Sequence, residues 1–331
     1  MKSLKYWQSI NLALLEEMRR DERVIVLGED VGLPGGPFGA TRGLQKEFGP
    51  GRVRDTPISE AAIVGLALGS SMSGLRPVVE IMFMDFITLA MDQLVNQAAK
   101  TAYMSNGSYA APMVVRTLAG THLKSGPQHS QALEAWIAAV PGLKVVWPST
   151  PADARSLLKA AIRDPGPVVV IESASLYTSR GEVNVDSDDV AVIGQAAVRR
   201  SGGAVTLVSW GGAMARTLAA AEILAGQGIE AEVIDVRSVS PLDHQAIGSS
   251  IRRTGHLVVV QDANGPCSVG SEIIATAASR YFADLAAGPS LLCPPFAPVP
   301  STPGLQTSYF PSPDAIAAQV ASQLSRPTEN Q

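Results

Sequence analysis

The chain has 331 residues, 46% of them hydrophobic, with 26 Lys and Arg against 30 Asp and Glu. That composition suits roughly two domains with their own cores and excludes a disordered or fibrous chain. A formal net charge of -4, without any block of like charge, leaves no basic face for nucleic acid or an anionic membrane. Cys267 and Cys293, the two cysteines, lack the spacing of a zinc site or a disulfide framework and read as buried thiols. The first residues lack a signal peptide's continuous apolar stretch, and the reach from Ala61 to Leu75 is too short and too rich in Ser and Gly to span a bilayer. A reducing compartment, the cytoplasm, is expected.

Trp7, Ile10, Leu14 and Met18 recur at helical spacing, and Val24 to Leu27 then forms a buried strand. The alternation continues with Pro77 to Phe83 as strand and a helix capped by Asp85 to about Met104. Next come strand Met113 to Val115, helix Ser130 to about Ala139, and strand Lys144 to Trp147. Short apolar strands alternating with helices predict a parallel α/β sheet covered on both faces. Ser149-Thr150-Pro151-Ala152-Asp153 is a helix start, with a hydroxyl cap, a first-turn proline and an early acid. That helix runs to Arg163, and strand Val168 to Glu172 follows.

From Ser175 to Asp189 the polar sequence reads as an interdomain connector. The alternation then restarts with Val205 to Ser209, a helix from about Ala213 to Ala225, Ala231 to Asp235, Leu257 to Gln261 and a helix from about Gly270 to Phe282. This is a second α/β domain of roughly 140 residues. Pro294-Pro295, Pro298, Pro300 and Pro303 mark an extended segment before a last helix near Pro313 to Leu324.

The glycines form neither GxGxxG nor GxxxxGK[ST], which argues against Rossmann and P-loop chemistry. Glu29-Asp30 follow the first strand directly, where open α/β sheets place ligands. Glu60 enters the apolar stretch Ala61 to Gly69, and taken alone it suits the positive end of a helix dipole as well as it suits chemistry. His122 and His129 are the candidate site histidines, although either could be a solvated loop residue. No GxSxG elbow accompanies Ser130, so a serine triad is not expected.

Taken together, LGEDVG (Leu27 to Gly32), RVRDTPISE (Arg52 to Glu60), RPVVEIMFMDF (Arg76 to Phe86), DQLVNQAAK (Asp92 to Lys100) and PQHSQ (Pro127 to Gln131) resemble a known family. So do PGLKVVWPSTPADA (Pro141 to Ala154), GIEAEVIDVRSVSPLD (Gly228 to Asp243) and RTGHLVVV (Arg253 to Val260). The family is that of the β-subunit of the thiamine-diphosphate-dependent dehydrogenase component of 2-oxo acid and acetoin dehydrogenase complexes. The resemblance implies two layered α/β domains, a thiamine-diphosphate pyrimidine-binding domain over 1–180 and a transketolase C-terminal-like domain over 181–331. It implies an α-subunit partner in an α2β2 heterotetramer, acyl transfer to a lipoyl acyltransferase core, and Mg²⁺ held by the α-subunit, since Gly-Asp-Gly is absent here.

The resemblance also implies roles. Glu60 matches the glutamate that bonds the aminopyrimidine ring nitrogen, which requires a buried, proton-sharing acid. Phe86 matches the aromatic that stacks on the pyrimidine, and Ile58 the apolar residue near the ring. His129 matches the histidine beside the reactive carbon, where it steadies developing charge. Glu29 and Asp92 match acids in the channel between the two active sites. Main-chain oxygens of Ala111, Met113, Val114, Ala161, Asp164 and Gly166 match a structural potassium site. Gln261-Asp262 and Gln306 depart from the acids of relatives, and Met82 replaces a polar residue of the branched-chain enzymes, which points away from that class. EIMFMDF and ANGPCS (Ala263 to Ser268) look closer to acetoin-type and generic bacterial members. Two rivals stand beside the enzyme. One is a non-catalytic assembly subunit docking the α-subunit to the acyltransferase core. The other is a self-sufficient homodimer of the transketolase type, which the missing Gly-Asp-Gly argues against.

Overall fold

Strands that are apolar throughout must be covered on both faces, and that requirement organises the first half of the chain. The computed structural model describes residues 1–120 and 125–325, so His122 lies outside the described residues. β1 (Lys2–Lys5) leads into α1 (Tyr6–Arg20) and the wholly buried β2 (Val24–Gly28). Then come α2 (Leu44–Phe48), β3 (Val53–Asp55), α3 (Glu60–Met72), β4 (Arg76–Phe83), α4 (Ala99–Met104) and β5 (Val114–Ala119). α5 (Glu134–Ala138), β6 (Lys144–Val146), α6 (Pro151–Arg163) and β7 (Val168–Ser173) complete the unit. The strands run parallel in the order β6-β7-β5-β4-β2-β3. α1 and α6 cover one face through Ile10, Leu14, Leu157 and Leu158, while Ile63, Val64, Met84 and Leu94 cover the other. As the sequence predicts, the Thr150 hydroxyl caps α6, accepting from the Asp153 amide at 3.1 Å.

The second half contains β8 (Arg180–Val183), β9 (Ala197–Arg200), β10 (Val205–Ser209), α7 (Ala213–Gly226), β11 (Ala231–Asp235) and β12 (Ser238–Ser240). It ends with α8 (His244–Thr254), β13 (Leu257–Val260), α9 (Val269–Arg280), β14 (Ser290–Leu292), α10 (Pro303–Tyr309) and α11 (Pro313–Leu324). Its sheet has the order β14-β13-β10-β11-β9, with β9 antiparallel. α7 and α11 pack together on the outer face through Ala220, Leu224, Ile316 and Val320. β12 leaves this unit and joins the first sheet, antiparallel to β6. Gly211 (φ 54°) shows how closely the halves meet there: a Cβ would lie 2.5 Å from the Trp147 indole nitrogen, so glycine serves both the left-handed backbone and the contact.

Several expectations need correction. The helix expected over Asp85 to Met104 is a 3₁₀ segment (Met84–Ala90), a π-helical segment (Asp92–Ala98) and α4, and Asp85 caps nothing. Its Oδ1 instead accepts from the Gln131 amide nitrogens. That bond and Leu133 N–H to Met84 Sδ (3.3 Å) draw backbone donors away from the helix expected at Ser130, so α5 begins only at Glu134. The extended proline segment contains α10, with Pro303 in its first turn. The cysteines are not buried thiols. Cys267 is exposed and Cys293 half-buried, because Cys267 sits in a left-handed turn (φ 54°) just before the Ser268 cap of α9.

The connector also contains structure. Its β8 returns to pair antiparallel with β1, so the division expected at 180 and 181 falls inside a strand. Beyond it, Arg155 donates to the carbonyls of Asn184 and Ser187, and Lys159 and Arg163 both reach Asp188. Among the described residues no helix is long and apolar enough to cross a membrane.

Candidate active site

Parallel strands deliver their carboxyl ends to one edge of the sheet, and the candidate groups collect along it. β2 ends at Gly28, whose φ of 156° lies in the positive range that L side chains rarely adopt; a Cβ there would lie 2.9 Å from Val31 and 3.0 Å from the Glu80 carbonyl. The chain thus passes tightly over β4 and presents Glu29 at the edge. Glu60 opens α3 in its first turn and is only 7% exposed. No described residue donates a hydrogen bond or an ion pair to its carboxylate. Burial raises the Glu29 carboxyl above its ordinary range, and the negative charges of Glu60, Asp30 and Glu80 raise it further. Glu29 and Glu60 are therefore electrostatic neighbours, two acids lacking a local cation.

The second cluster is aromatic. The His129 ring meets Phe83 at 5.0 Å and Phe86 at 5.2 Å between centroids, both nearly perpendicular. Phe83 and Phe86 lie 5.9 Å apart, and Phe38 and Tyr177 continue the stack into the first unit. α3 packs against the 3₁₀ segment that carries Phe86, which links the acids to the aromatic pocket. Ile58 is 82% exposed and Leu33 87%, so the apolar rim lies open at this edge. Asp92 joins the group least closely: it starts the π-helical segment, accepts from Asn96 at 2.7 Å, and is not among the acids acting on Glu29.

The carbonyl segments expected to hold potassium do adjoin, since Val168 N–H donates to the Met113 carbonyl and Val114 pairs with Val168. Several of their carbonyls already accept one hydrogen bond. Ala111 accepts from Met113 N–H and Ala161 from Asp164 N–H, while the Asp164 carboxylate takes Gly166 N–H and Lys144. Arg76 Nη1 sits on the carbonyls of Ile162 and Asp164 at 2.7 and 3.1 Å, so a guanidinium supplies the positive charge there.

Sequence reasoning missed a buried charge network directly behind the edge. Arg116 on β5 donates Nη1 to Glu80 (2.8 Å) and Nε and Nη2 to Glu172 (2.7 and 3.0 Å). Tyr177 donates to Glu172 at 2.5 Å. Glu80 is paired with Arg116 in register, and Glu172 stands two residues beyond Arg116's partner Val170, so all three side chains project from one face. Burial raises the Glu80 carboxyl, and Arg116 only partly offsets it. Burial also opposes the Arg116 charge, but Glu172 and Glu80 outweigh it and hold the guanidinium above its ordinary value. The available signal was one charge placed mid-strand in each of three apolar runs.

A further buried acid, Glu134, lies beneath the His129 loop. It is 0% exposed, and burial pushes it up to about 7, with Asp262 adding to the rise. The Trp210 indole N–H approaches it and lowers the value somewhat, yet neither group meets full hydrogen-bond geometry with a partner.

Residues 2–180 match the family described as transketolase, pyrimidine binding domain, and residues 194–316 match transketolase, C-terminal domain. The chain is 43% identical over 320 residues to the acetoin:2,6-dichlorophenolindophenol oxidoreductase subunit beta of Cupriavidus necator, covering 94% of each chain. It is equally 43% identical over 320 residues to the 2-oxoisovalerate dehydrogenase subunit beta of Bacillus subtilis, covering 96% and 98%, so overall identity does not separate the branched-chain class from the acetoin class. With the pyruvate dehydrogenase E1 component subunit beta of Rhizobium meliloti it shares 42% over 312 residues, covering 94% of this chain and 68% of that one. The fold matches a solved chain titled split gene transketolase, inactive beta4 tetramer, at a TM-score of 0.79 and 22% identity, covering 97% and 99% of the two chains. With its acids and aromatics gathered at the carboxyl edge of a pyrimidine-binding sheet, the chain belongs to the transketolase-like family of acetoin, 2-oxoisovalerate and pyruvate dehydrogenase β-subunits.

Proposed function

We propose that this chain, joined to an α-subunit, forms the aminopyrimidine half of a thiamine-diphosphate site. The assembly oxidatively decarboxylates a 2-oxo acid, or cleaves acetoin, and passes the acyl group to lipoamide. The observation that carries this reading is Glu60: a buried carboxylate at the head of an apolar helix, beside a second acid, with no donor among the described residues. Such a group requires an external N–H, and a ring nitrogen of the aminopyrimidine supplies one.

When bound, the cofactor supplies a nucleophilic carbon and an electron sink. Glu60 shares a proton with the ring nitrogen, and Glu29, its carboxyl raised by burial and by its acidic neighbours, stands as a second acid beside it. Phe86 offers an apolar face for the ring, and Ile58 closes the rim once a partner covers it. His129, edged by Phe83 and Phe86, donates toward the oxygen where charge develops. Asp92 extends the acids toward the neighbouring site. Mg²⁺ is assigned to the α-subunit, because the pyrophosphate-binding Gly-Asp-Gly is absent from this chain. Of the six carbonyls proposed for potassium, Arg76 bonds that of Asp164, and no step is routed through that ion.

The β-subunit character of the relatives implies an α-subunit partner. Consistent with one, Ala62, Leu66, Gly69 and Met72 leave one face of α3 exposed, next to exposed Leu33, Ile58 and Leu89. Contiguous apolar surface of this kind suits a permanent protein interface.

The test is Glu60→Ala and Glu60→Gln in the assembled holoenzyme. Turnover should fall by more than about 10³-fold, or about 4 kcal/mol, beyond the roughly 1.5–3 kcal/mol of one charge-assisted bond, and cofactor affinity should weaken with it. An active tetramer whose rate ignores both Glu60→Ala and His129→Ala would instead make this chain the assembly subunit.

A further inference from the structure

We propose that Asp85 is the positioning residue for His129: its carboxylate tethers the loop carrying the imidazole to the turn carrying Phe86. The inference rests on the catalytic role of His129 proposed above and extends it to a residue outside the reacting groups.

The tether is specific. Asp85 Oδ1 accepts Gln131 Nε2 at 2.7 Å and Gln131 N–H at 3.4 Å, so one oxygen holds both the side chain and the backbone two residues after His129. Asp85 immediately precedes Phe86, and Met84 just before it accepts Leu133 N–H through Sδ. Two consecutive residues of the 3₁₀ segment thus clasp the loop at alternate residues, 131 and 133.

His129 needs such support. Its backbone N–H reaches only Gly126, at 3.4 Å, and no described residue bonds its ring nitrogens. The aromatic contacts that locate its ring among the described residues are the edges of Phe83 and Phe86. Ring edges limit tilt and leave sliding nearly free, because such contacts have little directionality. The Asp85 bonds remove that freedom by fixing the backbone that carries the ring.

The cost at Asp85 argues that the tether is functional. The residue is 7% exposed, no cation pairs with it among the described residues, and its Oδ2 is buried without a partner. An apolar side chain would fill the space without leaving a buried oxygen unpaired. A buried acid that keeps one oxygen unpaired while the other holds the loop of the candidate histidine fits placement of a catalytic group better than maintenance of the core.

The experiment uses the assembled holoenzyme with Asp85→Ala, Asp85→Asn and Gln131→Met. Two quantities are read: kcat and KM, and the rate at which diethyl pyrocarbonate modifies His129, followed by peptide mass spectrometry. Asp85→Ala and Gln131→Met should lower kcat by about 10- to 100-fold with KM changed by less than about twofold, the size of a small misplacement of a catalytic group. His129 modification should change by about threefold or more in both. Asp85→Asn keeps an oxygen acceptor and should return both readouts to within about threefold of wild type. Gln131→Met keeps the carboxylate and so tests the tether even if Asp85→Ala does not fold. Unchanged His129 reactivity in Asp85→Ala and Gln131→Met would overturn the proposal, as would an Asp85→Asn variant as impaired as Asp85→Ala. Altered His129 reactivity combined with full turnover of His129→Ala would support the tether and refute the catalytic role of His129.

Discussion

Arg116→Met removes the one cation from a pair of buried glutamates. Three N–H···O bonds of 2.7, 2.8 and 3.0 Å disappear, and Glu80 and Glu172, 7% and 2% exposed, then face each other across β5 with only the Tyr177 hydroxyl left to donate. Breaking a buried pair from one side costs about 3–5 kcal/mol, because a charge is left uncompensated. For a unit of this size that lowers Tm by roughly 6–20 °C. The loss should depend on pH. Without Arg116 the Glu80 carboxyl, already raised by burial, loses the charge that offsets that rise, so the folded variant holds a proton that the unfolded chain releases. Its stability therefore falls as pH rises above the unfolded carboxyl value of about 4.3, and the deficit against wild type is smallest near pH 4 and largest near pH 8. Thermal unfolding of the assembled complex across that range measures it. Arg116→Met combined with Glu172→Gln should recover part of the loss, since one unpaired charge is gone while Tyr177 keeps an acceptor. A variant as stable as wild type at pH 8, or a deficit constant between pH 4 and 8, would refute the buried-charge account.

Glu134 carries the opposite experiment, in which a substitution stabilises. With its folded value raised to about 7 from 4.5, it retains a proton that the unfolded chain releases, so wild type loses stability as pH rises through that interval, by about 3 kcal/mol in all. Glu134→Gln should match wild type near pH 5 and exceed it near pH 8, and a difference independent of pH in thermal unfolding would contradict this. Arg155→Ala cuts the bonds to Glu16 and to the carbonyls of Asn184 and Ser187. Limited proteolysis should then cleave within 184–189 several-fold faster, while turnover stays within about twofold because none of the groups Arg155 bonds is a candidate site residue; equal cleavage rates would refute the pinning.

What the sequence reveals here depends on how far apart the cooperating residues lie. α6 is legible because its cap, proline and first-turn acid occupy consecutive positions, and the structure reproduces it from Pro151 to Arg163. Glu60 is legible for the same reason: an acid entering an apolar helix is a local anomaly, and it lies buried where that anomaly requires an explanation. The Arg116 network is anomalous in the same way, but its meaning requires the strand order β7-β5-β4, which brings together charges 36 and 56 residues apart. Asp85 misleads for that reason. Its position suggests a helix cap, and only the fold shows its carboxylate committed to Gln131, 46 residues on. β12 is the extreme case: three residues after a turn in the second half extend the first sheet, and their own pattern contains no sign of it. Long-range pairing thus decides two things that local pattern cannot, which short strands change sheets and which buried acids have partners. Glu60 and Glu134 are the buried acids without any hydrogen-bonding partner among the described residues, and Glu60, at the carboxyl edge of the sheet, is the one a ligand can complement.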